Sequence, residues 1–229
     1  MWWDIAPERK AEFEDWHTHE HFQERMGIPG FRRGTRWAAV DGGEGFFVMY
    51  ELAAYETLVS PAYLARLNAP TPWSARMMPH HRHMVRSQCR VLESQGSTLS
   101  RHALTVRLSP AEGAAERLRG HLGGLARTLA SRPGLTAGHL LQNQTPKIDT
   151  TTEQKIRGGP DPAADWVFIA CGYDRSALEQ LAASALGDAE LVHAGAASGS
   201  GFLRGLYALS HSQSADEGGA GISSGIERD

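Results

Sequence analysis

Hydrophobic positions along the chain switch between a period near two and a period near 3.6, and the switches come in the same order twice. "MWWDI" opens as a short apolar run of strand type; Pro7 suits the first turn of a helix, with Asp4 as its cap. That helix is predicted to run to about Met26, where Gly27 and Pro29 stop it. "GFRRGTRWAAV" and "GFFVMYEL" read as two strands joined by the glycine-rich hairpin turn "DGGEG". A second helix is expected through "AYETLVSPAYLARL", broken or restarted at Pro61, and after "NAPTPW" the segment "HMVRSQCRVLES" supplies a fourth strand. The order is β-α-β-β-α-β, a ferredoxin-like unit.

The second half follows the same plan. "RHALTVRLSP" alternates as a strand, and "AEGAAERLRGHLGGLARTLASR" carries Leu118, Leu122, Leu125 and Leu129 as a helical stripe. "PGLTAGHLLQNQT" echoes "PGFRRGTRWAAV": Pro29-Gly30 and Pro133-Gly134 lie 104 residues apart, each just after a first helix. "DWVFIACGY", "RSALEQLAASAL" and "GFLRGLYALSHS" complete the unit. The halves differ mainly at "TPKIDTTTEQKIRGGPDPAAD", where a polar loop (146–165) of functional or mobile character replaces a tight turn. A four-stranded sheet with both helices on one face leaves its other face apolar and bare, and a second such sheet is the obvious cover. The linker "SQGST" is too short to let the halves wander. The predicted fold is α+β: two ferredoxin-like repeats, 1–96 and 97–211, forming an intrachain pseudo-dimeric α+β barrel, followed by a Gly/Ser-rich disordered tail, 212–229. The alternative has each sheet covered by another chain.

Composition narrows the classes of partner. A net charge of −3 supplies no basic excess for counterion release, so neither nucleic acid nor an anionic membrane is expected. Cys89 and Cys171 show no metal-type pairing, so a disulfide framework is not expected and a reducing, cytoplasmic setting is. "MWWDIAPERK" lacks the basic start of a signal peptide, and no apolar stretch approaches the roughly 18 residues of a membrane span.

Candidate chemistry gathers on the first helix. With Phe13 at the centre of a regular helix's buried face, Trp16, His17, Glu20 and Glu24 fall within about 60° of it and His21 near about 80°, while Thr18, His19 and Phe22 point away. Burying ionisable groups is costly unless they are paired or used. A structural reading has His17 and Glu20 bonded to each other, to Arg36 or Arg32, and to loop backbone. A metal reading rests on His17-Thr18-His19-Glu20-His21, which matches H-x-x-E-H; the further ligand on a second long helix is missing, so no metal is expected beyond adventitious binding at His17 and His21. An acid–base reading has a near-neutral histidine, oriented by a carboxylate, opening onto the cavity between the sheets. In "MMPHHRHMVRSQC" alternation puts His81 and His83 on one side, as exposed loop residues or as a cavity rim facing the first helix. Trp37 and Tyr50 read as core or cavity wall. Arg32, Arg33, Arg36, Arg86 and Arg90 either bind an anion or form a solvated face.

The stretch "WHTHEHFQERMGIPGFRRGTRW", the element order and the tandem plan resemble the dimeric α+β barrel superfamily, particularly its EthD-like branches. The motif-level likeness spans Phe13 to Trp37 and, more loosely, the segment from "TPW" to "RVLES"; the second half matches in plan only. That superfamily includes cofactor-independent monooxygenases, lactone isomerases, dehydratase-like and haem-handling enzymes and stress-responsive proteins, so the resemblance speaks to fold more than to function. It also puts a first-helix histidine at His21, which makes His21 the expected base, His17 its competitor and Glu20 the group that orients it. Trp16, Trp37, Tyr50, Arg36, His81 and His83 are the expected substrate contacts. The expected ligand is a small hydrophobic or aromatic molecule, with no bound cofactor, in a monomer or a homodimer of pseudo-dimeric chains. The rival reading is a non-catalytic ligand-binding or stress-associated protein; haem handling is a third.

Overall fold

In the computed structural model, which describes residues 1–40, 45–198 and 201–215, strands and helices follow the expected order. The first half holds β1 (Trp2–Asp4), α1 (Lys10–Trp16), a π-helical turn (His17–His21), α2 (Phe22–Met26), β2 (Phe31–Ala39), β3 (Phe46–Leu52), α3 (Pro61–Asn68), α4 (Pro72–Met77) and β4 (Arg82–Val85). After β5 (Cys89–Gly96) come β6 (His102–Leu108), α5 (Ala115–Leu129), β7 (Leu135–Asn143), α6 (Thr152–Ile156), β8 (Trp166–Gly172), α7 (Arg175–Ala183), α8 (Asp188–Ala194) and β9 (Leu203–Ser214). Ser60 and Thr71 cap α3 and α4 with their side-chain oxygens, each just before a proline, which is why the second helix restarts at Pro61. The turn expected over "DGGEG" lies outside the described residues apart from Gly45. No helix among the described residues is long and apolar enough to cross a membrane.

The strands lie in the order β4-β1-β3-β2-β9-β6-β8-β7-β5. The first four and the next four repeat one pattern (fourth, first, third, second), which is the ferredoxin-like sheet written twice. β2 and β9 join the two sheets, from Arg33 opposite Ser214 to Ala39 opposite Tyr207. β5 joins them on the other side by pairing with β7. Since only Arg86, Ser87 and Gln88 separate β4 from β5, the two outer edges of the sheet are linked through the chain and the sheet closes into a barrel. The single fourth strand expected from "HMVRSQCRVLES" is therefore two strands, because its first part serves one sheet and its second part the other.

Three apolar layers result. Between the sheets, Trp37 stacks on Phe47 with ring centroids 5.1 Å apart and Phe47 stacks on Trp2 at 5.3 Å, facing Ala103, Ala137, Val167 and Ile169. The Trp2 indole donates to Thr105 Oγ1 at 3.2 Å, so its polar edge is satisfied inside the barrel. Outside the second sheet, the expected stripe Leu118, Leu122, Leu125 and Leu129 of α5 packs on Leu104, Leu140 and Phe168. Gly138 permits this approach, since a Cβ there would lie 2.7 Å from Ala126 Cα. Outside the first sheet, Trp3, Phe13, Trp16, Phe22, Phe46 and Val48 form the third layer.

Two expectations are corrected. β9 runs to Ser214, so Ser212 to Ser214 belong to a strand; pairing with β2 gives their backbone groups partners that a polar composition does not reveal. Residues 216–229 of the expected tail lie outside the described residues. Phe22, expected to point outward, is fully buried. The cause is the π-turn: the Phe22 amide donates to the His17 carbonyl five residues back. One extra residue in the turn sets everything after it back by about 100°. Phe22 thus swings onto the core beside His17 (4.5 Å) and Tyr50 (5.7 Å), over Gly34, where a Cβ would collide with its ring. Phe22→Ala is expected to cost about 3–5 kcal/mol in chemical denaturation; a change within about 0.5 kcal/mol would place the ring on the solvent face of a regular helix.

Candidate functional site

β1 has three residues and β3 has seven, and that mismatch makes the site. β1 pairs with β3 at Phe46 and Phe47, and Met1 exchanges backbone hydrogen bonds with Val48. Beyond Val48 no strand lies on that side of β3 among the described residues. β4 pairs only with β1, and the chain then crosses to the second sheet. A window is left in the barrel wall, and a cavity of about 540 Å³ passes through it. Both faces of β3 line this cavity: Val48 and Tyr50 on the helix side, and Phe47, Met49 and Glu51 on the barrel side. Met84 and Arg86 to Val91 form the opposite rim.

At the helix-side end, His17, His21 and His81 surround Trp16. Ring centroids are 5.2 Å apart for His17 and His21, 4.7 Å for Trp16 and His21, and 5.8 Å for Trp16 and His81; Trp3 lies 5.0 Å from His81. Burial disfavours the imidazolium and holds all three rings neutral. His17 lies well below the ordinary histidine pKa through burial and then the charge of Arg36, and His21 through burial and then Arg25. Burial brings His81 down to about 4. His81 Nδ1 lies 3.1 Å from the Met78 carbonyl, which can only accept, so Nδ1 carries the proton and Nε2 the lone pair. The Nδ1 atoms of His17 and His21, the Trp3 indole N–H and the Tyr50 hydroxyl are buried with no hydrogen-bond partner among the described residues. Burial pushes the Tyr50 hydroxyl above its ordinary pKa, so it stays a proton donor. Buried polar atoms without partners are costly, and here several converge on one space.

The wall behind this cluster comes from the other half of the chain. α6 arises within the expected loop 146–165, nucleated by a capping box in which Thr151 and Gln154 bond reciprocally. It carries Glu153 to 2.5 Å from Arg25, with the two residues only 5% and 4% exposed. Burial opposes the charge on Arg25 and Glu153 restores it, so the arginine's pKa ends above its ordinary value. Arg157 pairs with Asp161 at 2.9 Å and approaches Glu153 at 3.7 Å. The segment is then tied across the window: the Arg86 amide donates to the Pro162 carbonyl, and Ser87 Oγ donates to the Ala164 carbonyl. The polar loop is thus a strap that closes the first half's cavity.

The expected site residues divide. Trp16, His17, His21, Tyr50 and His81 all line the cavity. Glu20 does not: its Oε1 accepts from the Trp16 indole (3.0 Å), the Thr71 hydroxyl and Ser74 Oγ (3.2 Å), so it anchors Trp16 and the start of α4 rather than a histidine. Arg36 lies off the cavity with its guanidinium bonded to Ser210, Thr18 and the Glu14 carbonyl. Trp37 is barrel core, its indole donating to the Ser100 carbonyl. His83 has a left-handed φ of 53°, which breaks the alternation expected with His81 and sends its ring outward to Asp4, 77% of the side chain exposed. Among the described residues no group of three or more His, Cys, Asp or Glu side chains is placed to hold a metal ion, so H-x-x-E-H does not assemble a metal site there. Arg25, Glu153 and His139 line the cavity and escaped the sequence reading. The capping box Thr151-x-x-Gln154 was the signal that could have found Glu153.

No protein-family model and no curated protein matches this chain. Solved structures do. An anthrone oxidase-like protein superposes with a TM-score of 0.62 at 18% identity, covering 95% of this chain and 92% of its own. A protein from Fusobacterium nucleatum subsp. nucleatum provisionally assigned as a monooxygenase gives 0.58 at 7% identity, over 93% and 91%. Another of the same provisional assignment, from Lactobacillus acidophilus, gives 0.55 at 10% identity over 93% of each chain. This chain is an α+β barrel. At such identities the likeness concerns fold alone.

Two measurements probe the site's electrostatics. Glu153→Ala leaves Arg25 buried without its carboxylate and is expected to cost about 3–5 kcal/mol in urea unfolding. His81 binds a proton near 6.5 when unfolded and only at about 4 when folded, so stability falls as pH drops below 6.5. His81→Gln removes that loss; the wild type's stability relative to this variant should fall by roughly 2 kcal/mol between pH 7 and pH 5.

Proposed function

We propose that this chain is a small-molecule enzyme of the monooxygenase-like α+β barrel type, akin to the EthD-like branch. It oxidises a flat aromatic ketone of the anthrone kind with dioxygen and no bound organic cofactor, His21 taking the proton with His17 beside it. The observation that carries this reading is the pair of neutral imidazoles whose Nδ1 atoms are buried with no hydrogen-bond partner among the described residues, in an aromatic-walled cavity. The fold likeness to an anthrone oxidase-like protein supports the reaction class.

A ring CH2 conjugated to the ketone loses one proton to His21, giving a delocalised enolate. The enolate supplies its own electrons to dioxygen, a C–O bond forms, and the peroxide takes the proton back from the imidazolium. The imidazole then removes the second C–H proton as the O–O bond breaks, the departing hydroxide takes up that proton as water, and a carbonyl remains. Overall CH2 and O2 become C=O and H2O, with four electrons passing from carbon to oxygen. The depressed pKa keeps His21 in its base form at rest, and the enolate charge beside it stabilises the imidazolium once formed. Arg25, kept charged by Glu153, adds positive potential, and the Tyr50 hydroxyl is a donor for the ketone oxygen. Trp16 and Trp3 hold the rings, and His81 Nε2 offers an acceptor to a phenolic hydroxyl.

Oxygen uptake and quinone absorbance with anthrone should exceed the non-enzymatic rate, and His21→Ala should lower kcat/KM by about 10²-fold or more. No uptake above background, or uptake unchanged in the His17→Ala/His21→Ala double variant, would overturn the reading.

A further inference from the structure

His139 is a buried histidine at the opposite, barrel-side end of the same cavity, and the proposed oxidation gives it no task. It lies on β7 between Ala137 and Leu141, which face the barrel interior, and it is 3% exposed. Ser94 stands directly across the β5–β7 ladder, with its Oγ 2.8 Å from His139 Nδ1, which fixes the ring. His139 Nε2 is buried with no hydrogen-bond partner among the described residues, on the cavity wall. Glu51 lines this end too, but its carboxylate accepts from the Thr98 hydroxyl. Met49, Leu141, Val167 and Ile169 make the surrounding wall apolar. A leucine at 139 would pack there without an orphaned nitrogen, whereas the histidine carries the cost of one.

We propose that this end is a second recognition subsite, in which His139 reads an oxygen at the far end of the ligand, so that the molecule accepted is an elongated flat aromatic with hydrogen-bonding oxygens at both ends. The three-histidine cluster takes one end and His139 Nε2 the other, and the stacked rings of Trp2 and Phe47 line the same cavity on its barrel side. Burial keeps His139 neutral. If Ser94 donates to Nδ1, Nε2–H donates to a carbonyl; if Ser94 accepts, Nε2 accepts from a phenol. An oxygen substituent of the ligand can satisfy Nε2 in both tautomers. This deepens the proposed function by naming its substrate class, and it rests on the reading that an aromatic ligand fills the cavity.

Isothermal titration of the full chain with 2-hydroxyanthraquinone and 2,6-dihydroxyanthraquinone tests it. The single hydroxyl of the first compound is expected at the three-histidine end. The wild type should bind the dihydroxy compound about tenfold more tightly, the worth of one buried hydrogen bond. His139→Leu should bring that affinity down to the monohydroxy value and leave the monohydroxy affinity unchanged. His139→Gln, whose side-chain amide offers both donor and acceptor, should keep most of the preference. Equal wild-type affinities, an equal loss of both ligands in His139→Leu, or no binding of either compound would overturn the subsite. A preference that depends on His139 in a protein that does not oxidise anthrone would uphold the subsite and remove the oxidation chemistry instead.

Discussion

Two sheets that each wear helices on one side hide their bare sides against each other here, and the remainder of this molecule follows from that contact. Trp2, Trp37 and Phe47 stack in the gap, and the second sheet answers with Ala103, Ala137, Val167 and Ile169, small or branched residues that accept the large rings. Large against small keeps the interior filled. Closing the barrel also requires the chain to leave the first sheet and finish the second, which it does across Arg86 to Gln88. That crossing, with a first strand too short to cover β3, opens the wall where an otherwise sealed core would be.

The opening joins two environments that a ferredoxin-like unit normally keeps apart. Trp2 and Trp3 are neighbours in sequence yet belong to different layers, one in the barrel and one under the helices, and the cavity touches both. Its helix-side end is lined by imidazoles held neutral by burial, while Arg25 and Glu153 keep a charged pair just behind them. The pair spans the halves: Arg25 lies on α2, the last turn of the histidine-rich helix of one repeat, and Glu153 comes from the strap that replaces a turn in the other. The degenerate second half therefore completes the site although it carries no counterpart of the histidine-rich helix.

The π-turn shows how little displacement separates a structural residue from a site residue. A regular helix would put Glu20 beside His17 on the buried face and Phe22 in solvent. With one extra residue in the turn, Phe22 enters the core over Gly34, while Glu20 holds the Trp16 indole and the cap of α4. π-Turns of this kind often occur where a helix carries function, since they re-aim side chains that a regular repeat cannot.

Local order wrote the architecture into the chain. Periods of apolar positions, proline and glycine stops and the doubled element order were enough for the α+β barrel of two ferredoxin-like units, because those signals act between near neighbours and each bare sheet admits few covers. The same reading put His17, His21, Trp16 and Tyr50 close to a cavity, since burying titratable groups on an apolar face is a local anomaly. Folding in three dimensions settled what neighbours could not: the length of β1 relative to β3, the helical phase after His17, the outward turn of His83, and the meeting of Arg25 with Glu153 and of Ser94 with His139. Those pairs stand 128 and 45 residues apart in the chain. The two pairs depend on contacts between segments far apart in sequence, whose partners are named only once the chain has folded.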